Sequence, residues 1–173
     1  LLEEEELIDV LTPERARELV QGSVLPPFQT ATEGIREAGE MAKHYGVPVV
    51  VHNSAPSKEA VLDIARLGLG PSLVASHTNH NTFVLEEAVE NAQALKELST
   101  TIDLAVLDAF RTRRLLQSPE HLYNLLREGF GDVISTDWAG GYHDPILCAP
   151  EGALAEGLID LATAVAMVTG NVA

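Results

Sequence analysis

Four short apolar runs punctuate the chain, and each ends in a side chain able to do chemistry: Pro48-Val-Val-Val-His52, Leu73-Val-Ala-Ser-His77, Ile102-Asp-Leu-Ala-Val-Leu-Asp108 and Asp132-Val-Ile-Ser-Thr-Asp137. Runs this short and this rich in Val and Ile, bounded by polar or glycine-containing stretches, read as buried strands. His52 and His77 are 25 residues apart, the length of one strand-plus-helix repeat, and His77 and Asp137 are 60 apart, or two repeats. The run ending at Asp108 supplies the strand between them. Helical stretches follow each of the first three runs, so the order is βαβαβαβ and the expected architecture is α/β with a parallel sheet. Such sheets bind ligands at the carboxyl ends of their strands, where these four polar residues fall.

The intervening pattern predicts the other elements. Residues 1–29 read as a poorly defined acidic helix and loop, with Thr12 capping and Pro13 at the first helical position. The stretch Gln21-Gly-Ser-Val-Leu-Pro-Pro-Phe-Gln29 reads as a loop or a short edge strand. A helix is expected from Thr30, which forms a capping box with Glu33, carries Ile35, Ala38, Met41, Ala42 and Tyr45 on one stripe and stops at Gly46. Further helices are expected near 57–67, 83–98 and 119–128. A glycine-rich loop at 139–150 leads to one last apolar helix at 151–168.

The 173 residues suffice for one domain with a substantial core, and no linker divides them. A formal charge of −15 argues against nucleic acid or an anionic membrane surface as partner, because phosphate binding requires clustered Lys and Arg. Arg111, Arg113 and Arg114, the nearest thing to such a cluster, read as the solvated start of a helix. No apolar run approaches the ~20 residues of a membrane span, and the acidic first residues are unlike a signal peptide. Cys148, the single cysteine, leaves no internal disulfide to form, which agrees with a cytoplasmic setting. It has no base beside it in sequence and is not expected to be a nucleophile.

Imidazole nitrogen and carboxylate oxygen suit zinc and similar divalent ions. Any one of these residues alone is better explained as a capped strand or a satisfied buried histidine. Three at matching strand ends favour a shared ion held by His52, His77 and Asp137, with the Asp137 carboxylate accepting the proton of a metal-activated water. The expected ion is zinc, with iron or manganese as alternatives, one ion or two.

The motifs Val51-His52-Asn53, Ala75-Ser-His-Thr-Asn79, Ser135-Thr-Asp-Trp138 and Met167-Val-Thr-Gly-Asn171 resemble, in order and spacing, the C-terminal half of an amidohydrolase-superfamily enzyme, nearest to enamidase, dihydroorotase and D-aminoacylase relatives. The resemblance covers about residues 30–173. It implies a (β/α)8 TIM-type barrel of which this chain carries strands five to eight, metal ligation by His52 and His77, and a dual role for Asp137 as ligand and general base. The family's His-x-His on strand one and its bridging lysine or glutamate on strand four have no counterpart here. The expectation is therefore a partial barrel domain over residues 1–173, a piece of a longer protein that an intact mass near 18.6 kDa would argue against.

The expected activity is metal-dependent hydrolysis of a C–N bond in a cyclic amide or N-acyl small molecule, not a peptide. The alternatives are a non-catalytic barrel remnant or interaction module, and a phosphoesterase or decarboxylase on the same barrel. His80, Asn79, Asn53, Trp138 and His143 are the expected substrate-binding residues. Asp108 is expected to play a supporting or structural part, and His44 and His121 to lie on the surface. A small-molecule substrate is the expected partner, and a homo-oligomer is left open.

Overall fold

A computed structural model describes residues 12–111, 118–138 and 143–172. The expectations for residues 1–11, Arg113 and Arg114, the first part of the glycine-rich loop (139–142) and Ala173 lie outside them. The four apolar runs do form strands, β1 (Val49–His52), β2 (Leu73–Ser76), β3 (Thr101–Ala105) and β4 (Val133–Ser135), paired in parallel in the order β1-β2-β3-β4. Consecutive parallel strands need a crossover, and helices supply it. The architecture is α/β.

The helices are α1 (Pro13–Leu19), α2 (Leu25–Tyr45), α3 (Lys58–Ala65), α4 (Leu85–Glu97), α5 (Glu120–Arg127), α6 (Cys148–Ala155) and α7 (Leu161–Val168). Two sequence expectations are corrected. Residues 21–29 are neither loop nor strand: a π-helical turn, Val20–Val24, joins α1 to α2, which starts at Leu25 rather than Thr30 and has no side-chain cap. Proline in a first helical turn lacks only an N–H that would have had no partner, so Pro26 and Pro27 open a helix here instead of breaking one. The expected last helix is likewise two. Gly157, at φ +66°, terminates α6, with the Leu158 N–H returning to the Ala153 carbonyl, and the Asp160 side chain then caps α7 by accepting from the Thr163 N–H.

Strand alternation divides the sheet into unlike faces. Val51, Leu73, Ala75, Ile102, Leu104 and Ile134 are buried in a core completed by Val61 and Ile64 of α3, Leu95 of α4, Leu122 and Leu125 of α5, Ala149 of α6 and Met167 of α7. The other face carries Val50, which is 67% exposed, with His52, the half-buried Val74, Ser76 and Ser135, and the buried Asp103. Ala105 and Val133 are also buried on this face, and because parallel sheets normally bury both faces the exposed Val50 and His52 stand out on it. Among the described residues no helix is long and apolar enough to cross a membrane.

Candidate functional site

The side chains singled out from sequence sit at or just beyond the carboxyl ends of the strands. β1 ends at His52. β2 ends at Ser76, so His77 is the first residue outside it, with φ +42°, and Asp137 lies two residues beyond β4 with φ +55°. Non-glycine residues in this left-handed region are uncommon, and they concentrate where the surroundings hold a side chain in a required place. The run to Asp108 stays in the sheet only to Ala105, after which Leu107 and Asp108 also take positive φ.

His52 and His77 meet. His52 Nδ1 is 2.5 Å from His77 Nε2, and the ring centroids are 4.8 Å apart. The His77 tautomer follows from its other nitrogen, which lies 3.1 Å from the Asn53 carbonyl. A carbonyl only accepts, so His77 Nδ1 carries the hydrogen and the neutral ring presents a lone pair at Nε2, toward His52. His77 is 4% exposed. Burial lowers its pKa and the charge of His52 works in the same direction, while the negative Asp137 opposes them.

The His80 ring lies 5.1 Å from that of His77, tilted at 51°, and presents a different edge. Its Nδ1 accepts from the Thr82 N–H at 3.2 Å and sits 3.0 Å from the Thr82 hydroxyl, so the neutral ring is protonated at Nε2 and acts there as a donor. Burial, followed by the charge of His77, lowers its pKa too, and Asp137 again opposes the shift. Asp137 is thus close enough to act electrostatically on both histidines.

The donor chemistry fits a divalent first-row ion in kind. His77 Nε2 is oriented as a ligand by the Asn53 carbonyl, the usual way a protein fixes a ligating imidazole, and His52 Nδ1 converges on the same point. Among the described residues no three His, Cys, Asp or Glu side chains are grouped as a metal site, and Asp137 lies near enough to the histidine pair to act on it electrostatically.

The remaining residues divide sharply. Asn53 is fully buried and donates to the Thr78 hydroxyl at 3.1 Å. Asn79, also buried, both accepts from the Ala105 N–H and donates to the Ala105 carbonyl, stitching the turn after β2 to the end of β3. Neither amide is turned outward. Trp138 is 62% exposed and packs edge-on against His143, at 5.4 Å. Asp108 is buried and accepts from the His143 and Asp144 N–H groups at 2.5 and 2.6 Å; Asp144 in turn accepts from Phe110 and Arg111 N–H groups. These reciprocal bonds tie the loop after β4 to the loop after β3, a supporting part of the kind expected of Asp108. His44 is exposed, whereas His121 is half-buried, with Nε2 donating to the Phe83 carbonyl at 2.9 Å, and so is not a free surface residue. Cys148 is buried, and burial pushes its thiol pKa up, away from thiolate chemistry.

Asp103 is the residue that sequence reasoning passed over. It is 3% exposed in the middle of β3, and its Oδ2 accepts from the Ser76 hydroxyl at 3.0 Å, the His77 N–H at 3.0 Å and the Ser135 hydroxyl at 2.9 Å. Burial raises its pKa, against the lowering effect of those three bonds. A carboxylate inside the otherwise apolar run Ile102-Asp-Leu-Ala-Val was the signal for it, since aspartate is almost never fully buried without partners.

Comparison with known proteins returned no matching family model, no matching curated protein and no matching solved structure.

Proposed function

We propose that this chain carries part of the metal site of a (β/α)8-type hydrolase that cleaves a C–N bond in a cyclic amide or N-acyl small molecule, working in the cytoplasm. The observation that carries the reading is the convergence of His52 Nδ1 and His77 Nε2 from the ends of adjacent parallel strands, beside the Asp137 carboxylate. The sequential order of the parallel strands supports the barrel, whose interior the face carrying His52, Ser76, Asp103 and Ser135 would line.

In this reading His52 and His77 hold the ion, zinc first, and Asp137 is the carboxylate beside it. When bound, such an ion supplies a water of lowered pKa and polarises a carbonyl. The protein groups do the rest. Asp137 accepts the proton of the attacking water and returns it to the leaving nitrogen. His80, neutral because burial lowers its pKa, offers its Nε2–H to the oxygen on which negative charge develops. Trp138 and His143 line the approach on a loop that Asp108 and Asp144 hold in place.

Metal analysis of the purified protein and a hydrolysis screen over cyclic imides, dihydropyrimidines and N-acyl amino acids test this reading. Stoichiometric zinc that is lost in the H52A/H77A double variant, and turnover that falls at least ~10³-fold in D137N while the fold is kept, are the expected results; a D137N protein of unchanged activity refutes the base. A second reading is a non-catalytic barrel-like module. A metal-free protein that takes up no added zinc decides for it.

A further inference from the structure

Asp103 occupies an unusual position for a buried carboxylate. The three side-chain hydrogen bonds it makes with described residues converge on Oδ2, while the buried Oδ1 has no hydrogen-bond partner among them. Leaving one oxygen of a buried carboxylate bare is costly, and a residue needed only to fill this part of the sheet would be apolar. What the three bonds accomplish is specific. They link the last residue of β2, the first residue beyond it and the last residue of β4 to one atom of β3.

The backbone of Asp103 adds a fourth link, because its carbonyl accepts from the Thr78 N–H at 2.9 Å. The N–H groups on both sides of the His77 Cα therefore end on the same residue. At His77 the chain has left the ladder and turned to φ +42°, where its own N–H has no strand carbonyl to use, and the Asp103 carboxylate takes that place. Together with the bond from His77 Nδ1 to the Asn53 carbonyl, this fixes backbone and ring independently. The same oxygen reaches Ser135, two residues before Asp137.

We propose that Asp103 is a positioning residue: through the His77 N–H and the Ser76 and Ser135 hydroxyls it holds His77 in its strained backbone conformation, and so aims Nε2 at the point shared with His52. The proposal rests on the metal reading for its purpose but not for its geometry. The experiment separates the two.

Co2+ is titrated into the wild-type protein, D103A and D103N and followed by visible absorption, and the His77 amide and ring are observed by 15N NMR in the same metal-free proteins. In wild type the His77 amide is expected to be slow to exchange and the ring to be protonated at Nδ1. D103A is expected to lose the amide protection, to mix the tautomers, and to bind Co2+ at least ~10-fold more weakly with an altered d–d spectrum, the size of effect seen when a residue supporting a ligand is removed. D103N keeps an acceptor oxygen and should recover part of both signals, but not all, since a neutral acceptor bonds the N–H less strongly than a carboxylate does. Wild-type-like exchange, tautomer and Co2+ spectrum in a folded D103A overturn the proposal. If D103A does not fold, the same wild-type-like signals in D103N overturn it. If the wild-type protein takes up no Co2+, the metal reading falls, and the NMR comparison alone decides the role of Asp103.

Discussion

His77 combines three properties that pull on one another: a strained backbone, a ring whose tautomer is set by a carbonyl, and burial that disfavours its charged form. The last has a consequence for stability. In the unfolded chain the ring takes up a proton near its ordinary value of 6.5, whereas in the fold it does so only at lower pH. Below pH 6.5 the unfolded state therefore binds more protons than the folded one, and stability falls as pH falls, until the folded pKa is also passed. His80 shifts in the same direction and adds to the effect. The urea midpoint of the metal-free protein is expected to drop between pH 7 and pH 5, and H77Q should flatten that slope. An unchanged slope in H77Q would locate the pH sensitivity elsewhere.

At the scale of elements, α2 depends on one close contact. A Cβ built on Gly39 would lie 2.4 Å from Ile64 Cγ2 of α3, so the glycine is what lets the two helices approach. Helix propensity alone would favour alanine here by about 1 kcal/mol. Overpacking costs about 1–3 kcal/mol, and the atom met is a methyl of a fully buried side chain, so the steric term wins. G39A is accordingly expected to lower the unfolding free energy by about 1–2 kcal/mol in urea titration. At Gly34 on the same helix a Cβ would meet nothing within 4 Å, and G34A should be neutral or stabilising. The strands were legible in sequence because apolar runs this short have few other uses. The start of α2 was not, because Pro26-Pro27 and Gly22 signal a break by type, and only the position of the prolines in the first turn makes them harmless.

Over the whole molecule, a formal charge of −15 on 173 residues repels itself in the compact state more than in the expanded one. Among the described residues the ion pairs are few and mostly at the surface, such as Arg36–Asp63 and Arg111–Glu151, and each contributes little. Screening should thus favour the fold: raising NaCl from about 20 to 300 mM shortens the Debye length from ~20 Å to under ~6 Å and is expected to raise Tm. A fall in Tm would mean that the surface ion pairs outweigh the net repulsion.

The sequence by itself determined the parallel α/β order, the four strands, and the placing of His52, His77 and Asp137 at their carboxyl ends, because these depend on local periodicity and on repeat length. Tertiary structure decided what the spacing could not: that His52 and His77 meet nitrogen to nitrogen, that Asn53 and Asn79 turn inward, and that Asp103 is the knot behind His77. The physical reason is the same in each case. Hydrogen bonds between residues some 25 to 32 positions apart depend on strand register and on where each chain leaves the ladder, and neither is written in any one run of residues.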